Sequence, residues 1–137
     1  MQEKIQSNKI KLIRDIDDKI HANVDRVLIS RLFVNLITNA YRYNKKTGSV
    51  TVSLKSEIDG GICSVADTGI GISEDDLPKI WERFYQVDRA RSYSENGGSG
   101  LGLAMVKWIA NALDGEIFAD SLLVKGSIFT FKFKKER

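Results

Sequence analysis

The stretch from Arg31 to Tyr43, RLFVNLITNAYRY, has the residue spacing of an amphipathic helix. Apolar side chains recur three or four residues apart within it and just ahead of it, which predicts one helix face that packs against a core. Asp25 precedes the first of them and is a suitable N-cap, since its side chain can accept hydrogen bonds from free backbone N–H groups. The apolar positions are Leu28, Leu32, Phe33, Leu36, Ile37 and Ala40.

The same predicted helix carries a polar stripe beside its apolar face. Asn35, Asn39, Arg42 and Tyr43 follow one another at i, i+4, i+7 and i+8, which places them on one side of a helix. Asparagine competes for local backbone bonds and is a mediocre helix former, so two at successive turns indicate a ligand-binding face as readily as a solvated surface. A carboxamide oxygen suits Mg²⁺, which keeps most of its waters and binds phosphates.

Two glycine-containing stretches lie further along the chain. In ADTGIGI, residues 66–72, the carboxylate of Asp67 can accept hydrogen bonds from a buried amine, and glycines let a ligand approach the backbone. In NGGSGLGLAMVKWI, residues 96–109, four glycines precede a predicted helix, whose free N–H groups and dipole favour phosphate. Each pattern taken alone also fits an ordinary turn or a flexible loop.

The remaining patterns alternate between strands and helices. Residues 8–24 have short, extended patterns, 49–67 form a hairpin, and Ser73 with its acidic followers starts a short helix. A further helix over 103–113 ends at Asp-Gly, and the chain closes with two strands, the last over 128–133. This order predicts an α+β fold, a two-layer sandwich of a mixed β-sheet packed on about three helices.

Composition limits the class of protein. The 137 residues carry a net charge of +3 without a dense Lys/Arg stripe, so we expect no nucleic-acid partner. Cys63 is the only cysteine, which excludes an internal disulfide and makes a reducing compartment the default. No apolar run reaches the roughly 18 residues of a membrane span. We expect one domain over 8–137, with 1–7 as the end of an upstream connector.

Taken in order, these motifs resemble the ATP-binding domain of sensor histidine kinases. That domain belongs to the Bergerat-fold superfamily, with gyrase B subunit, MutL-type and heat-shock ATPases. The N box resembles NLITNAYRY, the first glycine box DTGIGI, the F box ERFYQVD and the second glycine box GGSGLGLAMV, with GSIFTF as a further match. The resemblance runs from about Ile10 to Phe133 and implies the Bergerat fold.

The resemblance also implies roles for individual residues. Asn39 is the implied Mg²⁺ ligand, Asn35 would face the phosphates and the metal, and Arg42 would approach a phosphate; these three are the implied catalytic residues. Tyr43 would pack near the nucleotide, and Asp67 would accept the exocyclic amine of adenine. Gly69 and Gly71 would border the base, Ser127 would support the adenine end, Phe84 to Ser99 would form a lid over the phosphates, and Ser99 to Gly102 would give the phosphates backbone contacts. The remaining implied ATP-binding residues are thus Gly69, Gly71, Ile72, Phe84, Tyr85, Arg91, Gly98, Ser99, Gly100, Leu101, Gly102, Leu103 and Ser127.

The activity implied is transfer of the γ-phosphoryl group of Mg-ATP to a histidine on a separate dimerisation domain. His21 is the only histidine, and it is not followed by the Glu/Asp, Arg and Pro of the family's phosphoacceptor block. Where the superfamily's ATPases place a glutamate as general base, this chain has Asn35; a neutral imidazole needs no strong base, so a histidine kinase is favoured. The alternatives are a serine-kinase or ATPase relative and a nucleotide-binding pseudokinase interaction module.

The same resemblance sets expectations for partners and location. A response regulator would receive the phosphoryl group indirectly, by way of the dimerisation domain of the same kinase. The isolated domain is expected to be monomeric and cytoplasmic, whether or not its parent kinase is anchored in a membrane.

Overall fold

The computed structural model describes residues 10–16, 25–45, 47–57, 60–83, 85 and 102–134. Within these ranges the chain forms five strands, two α-helices and one 3-10 helix. The strands are β1 (Lys11–Ile16), β2 (Ser49–Glu57), β3 (Gly60–Asp67), β4 (Glu116–Leu122) and β5 (Gly126–Lys134). The helices are α1 (Arg26–Arg42) and α2 (Gly102–Ala112), and the 3-10 helix is Leu77–Lys79.

The strands form one mixed sheet in the order β1-β2-β3-β5-β4. β1 runs parallel to β2, whereas the β2–β3, β3–β5 and β5–β4 pairs are antiparallel. Burial alternates along β2, β3 and β5, so one face of the sheet is covered and the other is open to water. α1 packs on β2 and β3, α2 packs on β4, and the two helices contact each other. The predicted α+β sandwich is confirmed.

The core lies between this sheet face and the two helices. α1 contributes Leu32, Leu36 and Ala40, one above the other at four-residue spacing, as the sequence predicts. Opposite them, the ring of Phe129 meets Trp81 edge-on, and the rings of Phe131 and Phe133 stack. Other fully or nearly buried members are Ile10, Tyr41, Val50, Val52, Cys63, Val65, Ile80, Val106, Ile109, Ala110, Leu113 and Ile117.

Both α-helices begin or end where the sequence indicates. The Asp25 carboxylate accepts hydrogen bonds from the N–H groups of Val27 (2.9 Å) and Leu28 (3.1 Å), which confirms it as the N-cap of α1. After α2, Asp114 adopts a left-handed φ of 57° and the Gly115 N–H donates to the carbonyl of Ala110 at 2.9 Å. This pattern closes the last turn of a helix.

One predicted element differs in extent from the observed one, and another falls only partly within the described residues. Of the predicted strands in 8–24, β1 is the part that falls within the described residues. The predicted helix at Ser73 starts, since Leu77 N–H donates to the Ser73 carbonyl at 3.0 Å, but it continues only as the three-residue 3-10 helix. Pro78 has no N–H to offer the Glu74 carbonyl, so the next α-helical bond cannot form.

No helix among the described residues combines the length and the apolar character needed to cross a bilayer.

Replacement of Leu36 by alanine tests the assignment of the core. Leu36 is 1% exposed, so the variant leaves a cavity under α1, and we expect it to lower the free energy of unfolding by about 3 kcal/mol. Val34 on the same helix is 51% exposed, and Val34→Ala should cost less than about 0.5 kcal/mol. Urea denaturation followed by circular dichroism measures both. Equal losses in the two variants would contradict the predicted orientation of α1.

Candidate functional site

The polar stripe of α1 lies at the border between the core and solvent. Asn35, Asn39, Arg42 and Tyr43 are all partly buried, whereas Leu32 and Leu36 on the adjoining face are buried completely. Within the described part of the chain, the Nε atom of Arg42 is buried and has no hydrogen-bond partner. A guanidinium in that state is suited to an anion, because its desolvated N–H then gains a charge-assisted acceptor.

The C-terminal end of α1 is joined directly to the loop that follows β3. The N–H of Ile70 donates to the carbonyl of Tyr43 at 3.1 Å. The hydroxyl of Thr68 donates to Asn44 Oδ1 at 3.0 Å and accepts from the N–H of Ser49 at 2.9 Å. These bonds hold the polar stripe of α1 and the first glycine box at the same end of the sheet.

The glycines of this loop are required by protein contacts. A Cβ on Gly69 would lie 2.1 Å from the carbonyl oxygen of Tyr43, closer than any real contact. A Cβ on Gly71, which has a φ of +76°, would lie 2.2 Å from the carbonyl oxygen of Leu122. From the sequence, both glycines were interpreted as residues that let a ligand approach the backbone closely. In the structure the space is taken by α1 and by the β4–β5 hairpin, so the reason is packing.

Asp67 ends β3 with one carboxylate oxygen engaged and the other open. Oδ1 accepts from the N–H of Gly69 at 2.8 Å and from the N–H of Ser127 at 3.3 Å. Oδ2 accepts no hydrogen bond from the described residues. Burial raises the pKa of this carboxyl above its ordinary value of 3.8, while the two backbone N–H groups act in the opposite direction. Such a carboxylate has a fixed orientation and one acceptor oxygen available to a ligand amine.

A pair of serines lies next to Asp67, and sequence reasoning found only one of them. Ser127 is buried and faces Ser121 directly across the β4–β5 pair, with the two hydroxyl oxygens 2.8 Å apart. Ser121 Oγ also accepts from the N–H of Ile72 at 2.7 Å and donates to the carbonyl of Gly126 at 2.9 Å. Ser121 was missed because its place opposite Ser127 depends on the register of the β4–β5 pair. That register can be predicted only when the length of the turn between the two strands is known.

Tyr85 and the start of α2 complete the described part of the predicted site. The Tyr85 hydroxyl donates to one carboxylate oxygen of Asp76, and the other oxygen accepts from the Ser73 hydroxyl at 2.9 Å. The bond from Tyr85 is the main cause that lowers the pKa of Asp76. Gly102 is the first residue of α2, and a Cβ there would meet nothing within 4 Å. Leu103 packs against the core. Phe84, Arg91, Gly98, Ser99, Gly100 and Leu101 lie outside the described residues.

Comparison with known proteins identifies related sequences over nearly the whole chain. Residues 24–137 match the family model described as histidine kinase-, DNA gyrase B-, and HSP90-like ATPase. The chain is 37% identical over 140 residues to the sensor histidine kinase WalK of Bacillus subtilis, covering 98% of this chain and 23% of WalK. It is 45% identical over 102 residues to the sensor histidine kinase RppB of Synechocystis, covering 74% of this chain and 22% of RppB. The chain thus spans about a quarter of the length of these relatives.

Solved structures give the same result for the fold. The catalytic domain of the histidine kinase ThkA superposes with a TM-score of 0.83 at 24% identity, covering 98% of this chain and 85% of that domain. Full-length ShkA, solved in complex with AMPPNP, superposes with a TM-score of 0.81 at 26% identity, covering 97% of this chain and 27% of ShkA. With the four sequence motifs, the sandwich fold and the matched model in agreement, the chain belongs to the family of histidine kinase-, DNA gyrase B-, and HSP90-like ATPases.

Proposed function

We propose that this chain binds Mg-ATP and transfers the γ-phosphoryl group to a histidine on a separate dimerisation domain of a two-component sensor kinase. The observation that carries the proposal is Asp67, a partly buried carboxylate fixed through Oδ1 and open at Oδ2, beside the loop that is hydrogen-bonded to the C-terminal end of α1. The relatives named sensor histidine kinases support the histidine acceptor.

The adenine end of the nucleotide would lie at Asp67. Oδ2 would accept a hydrogen bond from the exocyclic amine of adenine. Guanine has a carbonyl at the same position of its ring. Gly69, Gly71 and Ile72 would border the base, and Ser127 would support it. An ionised carboxyl that is partly desolvated costs free energy in the absence of a ligand, so its presence here favours a binding role.

The phosphate end would lie along α1. Asn39 would be a Mg²⁺ ligand through its carboxamide oxygen, with Asn35 one turn earlier directed toward the metal and the phosphates and Tyr43 packed near the nucleotide. Arg42 would contact a phosphate, which would satisfy its buried Nε. Mg²⁺, when bound, would supply neutralisation of phosphate charge. The proposal also includes a lid over the phosphates from Phe84 to Ser99, which contains Tyr85, Arg91 and Gly98. Backbone contacts to the phosphates would come from Ser99, Gly100, Leu101 and Gly102, and Leu103 is a further proposed nucleotide-binding residue.

For this reaction, the protein has mainly to position the reactants and to neutralise the charge of the phosphates. The lone pair of a neutral imidazole nitrogen attacks the γ-phosphorus, the bond from that phosphorus to the β–γ bridging oxygen breaks, and ADP departs. Asn35 cannot accept a proton at neutral pH, and this reaction needs no base to activate its nucleophile. The side chains of α1 would therefore align the phosphates and balance their charge.

The partners proposed are domains and proteins outside this chain. The acceptor would lie on the dimerisation domain of the same kinase, and a response regulator would receive the phosphoryl group from that histidine. ThkA, which shares the fold, has been solved in complex with the response regulator TrrA. We further propose that 8–137 is a single monomeric domain that works in the cytoplasm.

The first test is the affinity of Asp67→Asn for ATP. The variant replaces a charged acceptor by an amide, so we expect roughly a tenfold to hundredfold weaker Kd, the factor for one charge-assisted hydrogen bond. Isothermal titration calorimetry with Mg-ATP measures it. Asp120→Asn, an exposed residue on the open face of the sheet, is the matched control and should bind as the wild type does. Unchanged affinity in a folded Asp67→Asn variant would contradict the adenine role.

The same variant should be more stable than the wild type in the absence of nucleotide. Because the native pKa of Asp67 is raised, the native state binds more protons than the unfolded state between pH 3.8 and that native pKa. Stability contributed by Asp67 therefore falls as the pH rises through this window and remains low at neutral pH. Asparagine has no such penalty. Urea midpoints should favour Asp67→Asn at neutral pH and converge with the wild type at pH values below 3.8; a less stable variant at neutral pH would contradict the prediction.

Transfer in trans tests the reaction itself. The chain is mixed with a separately expressed dimerisation domain that contains the acceptor histidine, with labelled ATP and Mg²⁺. We expect acid-labile phosphate on that domain, none on this chain alone, and none with Asn39→Ala, because the metal ligand is lost. Val34→Ala, which changes the exposed side of the same helix, should transfer as the wild type does. Normal transfer by Asn39→Ala would contradict its assignment to the metal.

A further inference from the structure

Ser121 forms three polar contacts with other described residues, and their donors and acceptors can be assigned by counting protons. The N–H of Ile72, 2.7 Å away, can only donate, and the carbonyl of Gly126, 2.9 Å away, can only accept. A serine hydroxyl has one proton and two lone pairs. Once its proton points to Gly126, the remaining lone pair can accept only from Ser127, whose hydroxyl oxygen lies 2.8 Å away. Only this assignment makes all three contacts hydrogen bonds.

The hydroxyl proton of Ser127 is therefore committed to Ser121, away from any ligand. Ser127 Oγ then offers only lone pairs, as Asp67 Oδ2 does. The two groups are neighbours, since the backbone N–H of Ser127 donates to Oδ1 of the same carboxylate at 3.3 Å. Ser127 is 8% exposed, which leaves its hydroxyl little solvent with which to form alternative bonds.

We propose that Ser121 is a specificity-determining positioning residue, whose hydroxyl holds Ser127 as an acceptor so that the wall beside Asp67 presents acceptors alone. A base with an amine at this edge meets two acceptors and is bound. A base with a carbonyl there meets two acceptors and is rejected, because Ser127 has no proton left to donate. This inference rests on the proposed function, namely that a nucleobase binds at Asp67.

The inference predicts a gain of binding in a variant, which a merely structural role would not produce. In Ser121→Ala the proton of Ser127 is released and can turn toward a ligand carbonyl. Inosine triphosphate is the probe, because its base carries a carbonyl where adenine carries the amine. We expect the ratio of the Kd for inosine triphosphate to the Kd for ATP to fall roughly fivefold to tenfold, the factor for one neutral hydrogen bond.

Three variants isolate the cause. Ser121→Ala/Ser127→Ala has no proton to release, so it should not show the lowered ratio. Ser121→Thr keeps the hydroxyl and should retain the wild-type ratio. Ser53→Ala removes a serine from β2 on the opposite face of the sheet and should also leave the ratio unchanged. Calorimetric titrations with both nucleotides, on variants whose thermal unfolding is recorded first, give the result.

A measurement on the wild type remains decisive if Ser121→Ala does not fold. Purine riboside triphosphate has neither amine nor carbonyl at the tested position. If the wall beside Asp67 presents acceptors alone, the wild type should bind purine riboside triphosphate more tightly than inosine triphosphate. Binding of purine riboside triphosphate that is equal to or weaker than that of inosine triphosphate would overturn the inference. An unchanged ratio in folded Ser121→Ala would overturn it too, while ATP binding that depends on Asp67 would leave the proposed function intact. Failure of the wild type to bind ATP would overturn both.

Discussion

The arrangement of the candidate site depends on two hydrogen bonds to one oxygen atom. Asp67 Oδ1 accepts from Gly69, in the loop that follows β3, and from Ser127, near the start of β5. The first bond fixes the loop that is tied to the end of α1, and the second fixes the β4–β5 hairpin. This carboxylate therefore links the loop to the hairpin at this end of the sheet, and its Oδ2 accepts no hydrogen bond from the described residues.

Close backbone contacts make that arrangement rigid. The Gly69 Cα lies against the Tyr43 carbonyl, and Gly126, with a φ of +125°, lies so close to Asp67 that a Cβ would be 2.0 Å from the Asp67 carbonyl oxygen. Any other residue at these two positions would force the loop or the hairpin outward. Since the Gly126 carbonyl also accepts from Ser121, displacement of the hairpin would disturb the serine pair as well. Gly69 and Gly126, which belong to two different motifs, thus act on the candidate site through the backbone that they allow to pack.

The accuracy of the sequence predictions follows the range of the interactions involved. α1 and its cap at Asp25 depend on contacts within a few residues, so spacing and residue type sufficed to predict them. The segment after Ser73 also depends on local interactions, and its capping pattern predicted a short helix. Pro78 stops that helix after its first turn, so only a 3-10 helix forms. Ser121 escaped notice because its importance arises from pairing across β4 and β5 and from contact with Ile72, far away in sequence. Its partner Ser127 was identified only through a family motif.

α1 connects the stability of the fold to the geometry of the site. Leu32 and Leu36 are fully buried against the sheet, and Asn35 and Asn39 lie on the adjoining face, so the rotation of the helix about its axis is fixed by packing. Rotation by one residue would turn each asparagine by about 100° and would expose a leucine to water. The side of α1 on which the two carboxamides lie is therefore determined by the core, and a substitution that let α1 rotate would change the candidate site without replacing a residue in it.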